Sequence, residues 1–79
     1  MTFAEARAQF PVLERYAYLN AGTFGPLPRA TVEAMQEVEG RELRDGRASH
    51  AYFERVMAER EELRARLAAL VGAPAECVA

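Results

Sequence analysis

The chain has 79 residues, ten basic and twelve acidic, for a net charge of -2. All ten basic residues are arginine, so no lysine amine is present to form a Schiff base or act as a nucleophile. That charge balance argues against a nucleic-acid binder. One cysteine and one histidine exclude an internal disulfide and leave too few ligands for a zinc site.

A chain of this size holds at most one small domain, and it buries only about 60% of its unfolded surface. Folds this small usually lean on a disulfide, a metal or a partner. No apolar run approaches the ~18 residues of a membrane span, and no signal-peptide pattern opens the chain. The expected setting is soluble, reducing and cytoplasmic, with neither nucleic acid nor membrane as partner.

In chain order, Thr2-Phe3-Ala4-Glu5 fits a capping box and predicts a short helix over Phe3 to Gln9, closed by Pro11. Tyr16 to Asn20 is aromatic and apolar, bounded by turn formers, and reads as a short strand or extended segment. Pro28 suits the first turn of a helix running to about Asp45. Leu27, Thr31, Ala34, Met35 and Val38 mark its apolar face, Gly40 weakens its middle, and Gly46 is placed to stop it. Ser49 then caps a second long helix, roughly 30 Å in length. Its apolar positions Tyr52, Val56, Leu63, Leu67 and Leu70 share one face, and Gly72 and Pro74 end it. Glu76 to Ala79 reads as the start of a strand, so the chain looks cut rather than completed. The fold class expected for this chain is therefore mainly α: a short N-terminal helix, an extended segment and two longer helices.

Taken together, "FPVLERYAYLNAGTFGPLPRATVEAM", the "GRASH" break and a long helix ending in "LAALVGAPAECVA" resemble the N-terminal segment of class V aminotransferases. These are pyridoxal 5'-phosphate (PLP) enzymes of the aspartate-aminotransferase fold, among them cysteine desulfurases and isopenicillin-N-epimerase-like proteins. The likeness covers Phe10 to Ala79, and its most specific part is Tyr18 to Gly22 followed by Gly25 to Pro28. It implies that residues 1–79 are a fragment of a longer α/β enzyme, contributing to its small domain and the start of its large domain. The complete enzyme is expected to be a homodimer acting on an amino-acid substrate by transamination, desulfuration, elimination or epimerisation. The phosphate-binding loop, the ring-stacking residue, the pyridine-pairing Asp and the Schiff-base Lys of that family lie further along. No residue here is thus a catalytic or cofactor ligand, and the chain alone is expected to be inert.

The resemblance points to two groups of substrate-binding residues. Asn20, Ala21 and Gly22 occupy the position of a turn whose backbone approaches the substrate. Small residues permit that approach, and glycine can take positive φ; a plain strand-to-loop turn accounts for the same residues. Arg47 and His50 match an Arg-x-x-His found in this break in some members, with the His near the substrate. An imidazole that titrates near neutrality suits proton traffic, and an arginine suits a carboxylate or phosphate. The plainer reading is a solvated loop and a first-turn surface residue. Cys77 is far upstream of the family's nucleophilic cysteine and reads as a buried, inert thiol. A reading from another class is a small helical-hairpin interaction module that self-associates through its two amphipathic helices.

Overall fold

The computed structural model describes all residues, Met1–Ala79. Three α-helices account for most of it: α1 (Phe3–Ala8), α2 (Arg29–Asp45) and α3 (His50–Val71), with single 3-10 turns at Pro11–Glu14 and Ala75–Cys77. There is no strand. The mainly α expectation for this chain is met. The residues form two compact units, Met1–Arg44 and Asp45–Ala79.

In the first unit, the capping box forms at the start of α1. The Thr2 hydroxyl accepts from the Glu5 amide at 3.2 Å, and the Thr2 amide donates to the Glu5 carboxylate at 2.5 Å. Two orphan N–H groups are thereby satisfied. Hydrogen bonds to the carboxylate from the Thr2 backbone amide, contributing most, and from the Thr2 side chain hold the Glu5 carboxyl below its ordinary range. The helix ends one residue earlier than the sequence predicts, with Gln9 as its C-cap.

The start of α2 solves a different problem. Pro28 precedes its first residue and has no side-chain oxygen to cap it. The caps come from the end of α1 instead. The Arg29 amide donates to the Gln9 carbonyl at 2.8 Å, and the Ala30 amide donates to the Gln9 side-chain oxygen at 3.4 Å. The Arg29 Nε donates to the Ala8 carbonyl, also at 3.4 Å. The next two amides, Thr31 and Val32, both donate to the Pro28 carbonyl. Unpaired C=O groups ending one helix thus meet unpaired N–H groups opening another, which satisfies both sets. Gln9 and Arg29 consequently form a hydrogen-bonded neck, and residues 10–28 are a loop whose two ends meet there.

Four of the five residues expected on the apolar face of α2, Thr31, Ala34, Met35 and Val38, border one open recess of about 560 Å³ together with Ala30 and Glu39, whereas Leu27 borders a different recess beside Pro11 and Val32. Met35 on this face is 52% exposed and Val38 is half-buried. Gly46, at φ 76°, lies just past the last residue of α2, where only glycine enters the left-handed region without cost.

In the second unit, the Ser49 hydroxyl accepts from the Tyr52 amide at 3.1 Å and starts α3 as expected. The helix runs 22 residues to Val71. Gly72 then adopts φ 68° and ψ 31°. Its amide donates to the Ala69 carbonyl at 3.3 Å, and the Ala73 amide donates to the Ala68 carbonyl at 2.9 Å. This pair of bonds is a Schellman motif, which reverses the chain. The following 3-10 turn lies back against α3, and Ala68, at 3% exposure, is the single buried residue of the protein.

Two expectations fail at this end. Glu76 to Ala79 does not start a strand: the Cys77 amide donates to Pro74 O and the Val78 amide to Ala75 O, closing a 3-10 turn. Val78 has extended torsions, and no second strand is present to pair with it. Cys77 is exposed rather than buried.

Candidate functional site

The first candidate segment lies within the loop closed by the Gln9–Arg29 neck. Residues 16–20 are irregular rather than a strand. A strand needs a partner for its backbone groups, and the chain offers none. The segment is instead held by its own side chains. The Tyr18 hydroxyl donates to the Phe24 carbonyl, tying the two sides of the turn together. Between them, the Thr23 amide donates to the Asn20 carbonyl at 3.4 Å, and the Thr23 hydroxyl donates to Asn20 Oδ1 at 3.1 Å. Asn20 therefore spends its side-chain oxygen on shaping the turn, as asparagine commonly does. Its side-chain NH2 group is not used in that contact.

Ala21 and Gly22 occupy the tip of this turn, and both are exposed. Gly22 does not adopt positive φ, contrary to the conformational argument for glycine there. A Cβ added at Gly22 would meet nothing within 4 Å, and the same is true at Gly25. Neither backbone torsion nor internal packing therefore requires these two glycines. Leu19 and Phe24 on either side are exposed, at 92% and 80%. The loop presents small residues and large apolar ones side by side, with no covering layer.

Arg47 and His50 belong to the second unit. Arg47 lies in the break between Gly46 and Ser49 and is exposed. His50 is the first residue of α3, its side chain 89% exposed. His50 Nε2 lies 3.1 Å from Glu54 Oε1, one helical turn along. Sequence reasoning missed Glu54 as the partner of His50, although its i,i+4 spacing is a signal that could have found it. Gln9 was missed too; the only clue is that Pro28 cannot cap α2 itself.

No group of three or more His, Cys, Asp or Glu side chains is placed to hold a metal ion. The residues present do not make a PLP site. There is no lysine for the aldehyde. The first N–H groups of α2, which would otherwise attract a phosphate, are already bonded to Gln9. No helix is long and apolar enough to cross a membrane. Comparison with protein families, curated proteins and solved structures returned no match.

Proposed function

We propose that the chain is the N-terminal segment of a PLP-dependent enzyme of the class V aminotransferase type, acting on an amino acid in the cytoplasm. Its part in the reaction is to supply one wall of the substrate site, while the cofactor ligands come from outside these 79 residues. PLP held by residues outside these 79 would supply an electron sink for bond breaking at the substrate, and the protein would decide orientation. The chain's own contribution is the Asn20–Thr23 turn, which offers main-chain groups at Ala21 and Gly22 to a substrate carboxylate.

The observation that carries this reading is the pair of unexplained glycines. Gly22 and Gly25 satisfy no torsional or packing demand inside the segment. Close approach by a group from outside is the remaining physical use of a missing Cβ. In a homodimeric enzyme built on this segment, Gly22→Val is expected to raise KM for the amino acid at least about tenfold, because β-branched bulk occupies the approach. Stability would change little, since a Cβ at this position meets nothing within 4 Å. An unaltered KM, or a reading frame that stops after codon 79 instead of continuing to a Ser/Thr-rich loop and a lysine, refutes the proposal.

A second reading, a helical interaction module, is favoured by one observation. Most of the apolar face of α3 is open to solvent: Leu63, Leu67 and Leu70 are all exposed.

A further inference from the structure

Along the open side of α3, five apolar residues and one arginine share a single seam. Phe53, Val56, Arg60, Leu63, Leu67 and Leu70 follow alternating spacings of three and four, which is an a/d heptad seam about three heptads long. All six are exposed. The seam is distinct from the side covered by the C-terminal turn, where Ala68 is buried. It drifts by about 20° per heptad on a straight helix, as a left-handed supercoil demands.

Charge along α3 is unevenly divided. His50 to Glu62 carries four glutamates and two arginines, a net of -2; Leu63 to Val71 carries two arginines and no acid, a net of +2. Such a helix is complementary to itself only when reversed. Arg60 sets the same direction. In a parallel pair two Arg60 side chains would meet at one a position. In an antiparallel pair each lies beside Leu63 of the partner subunit, and its guanidinium reaches water past that side chain.

We propose that α3 is a self-association surface that pairs antiparallel with α3 of a second copy of this chain. In the register that sets Arg60 against Leu63 of the partner subunit, Phe53 faces Leu70 of the partner subunit and Val56 faces Leu67 of the partner subunit. Glu59 then flanks the seam opposite the partner's Arg66, and the reciprocal pair repeats it. Arg66 already holds Glu62 at 2.6 Å within its own helix. Its planar guanidinium has donors enough to serve both carboxylates. The pairing needs only these 79 residues and does not rest on the enzyme reading, so either can fail alone.

The test uses the full chain and two single variants, Glu59→Arg and Arg66→Glu. Sedimentation equilibrium up to about 100 μM is expected to give a dimer for the unaltered chain. Each variant alone places like charges opposite one another twice and is expected to dimerise about tenfold more weakly. An equimolar mixture restores opposite charges at both positions and is expected to recover the original affinity, a readout that helix destabilisation in either variant would not produce. Direction is read by a spin label at Ala51→Cys in a Cys77→Ser background. Antiparallel pairing places the two labels about 30 Å apart and parallel pairing within about 20 Å. A monomer throughout the range, a mixture no tighter than its components, or the shorter distance overturns the proposal.

Discussion

Replacing Gly72 with alanine isolates the reversal that closes the second unit. Gly72 holds φ 68° and ψ 31°, and an added Cβ meets no atom within 4 Å. The cost is therefore backbone strain without a steric contribution, about 1–2 kcal/mol for an L-residue in the left-handed region. The chain can avoid that strain by opening the Schellman motif. Opening gives up the Ala73–Ala68 and Gly72–Ala69 hydrogen bonds and uncovers the Ala68 methyl, worth about 0.8 kcal/mol for one such group. Opening costs about 2–4 kcal/mol on that count, so the strained cap is the cheaper route and sets the loss at about 1–2 kcal/mol, equivalent to a factor of 5–30 in the opening equilibrium. Amide hydrogen exchange at Ala73, followed by NMR, reads that factor directly. Most of α3 should keep its helical signals, because the perturbation begins at its last turn. Exchange at Ala73 unchanged within about twofold would refute the reasoning, since the left-handed cap would then contribute nothing.

The same substitution at Gly40 should act in the opposite direction. Gly40 is inside α2, and its added Cβ meets only the mobile end of Arg44 at 3.4 Å, so Gly40→Ala is expected to stabilise α2 by about 0.5–1 kcal/mol; reduced helicity in a thermal melt contradicts this. Acid should release α1: the Glu5 carboxyl is held below its ordinary value of 4.5, so its contribution is complete above that value and is lost as pH falls through the lowered one. NMR shifts of Phe3–Ala8 are expected to move toward coil in that window and to lose the dependence in Glu5→Gln; a helix unaltered at pH 2 would contradict the capping role.

How much could be read in advance depended on whether the signal was local. The Thr2–Glu5 box, the Ser49 cap and the Gly46 and Gly72 stops are properties of four to six consecutive residues, and each is realised where the residues stand. The apolar faces of α2 and α3 were also readable, because helical periodicity fixes them. What the pattern did not contain was their partner: Met35 and Leu70 are correctly placed on a face and still exposed. Tyr16 to Asn20 and Glu76 to Ala79 have strand-like composition, yet strand formation is a pairwise property and neither has a mate. Cys77 follows the same logic, exposed once its strand became a 3-10 turn. At the candidate turn, the turn-forming character of Asn20 was legible and its oxygens do hydrogen-bond Thr23, whereas Gly22 lacks the positive φ expected of it. Gln9 escaped notice because it acts twenty residues away in sequence.

The neck between Gln9 and Arg29 has a consequence for variation in this protein. Both ends of residues 10–28 are fixed by hydrogen bonds that use almost no loop side chain. The register of α2 is thereby decoupled from whatever the loop contains. Doubling the length of such a loop costs only about 0.6 kcal/mol in closure entropy. The half-buried base of the loop, where Arg7 holds the Leu13 carbonyl at 3.1 Å, belongs to the mount, and the exposed tip around Asn20–Gly25 is the exchangeable part: it can lengthen, shorten or change chemistry without shifting the helix that follows.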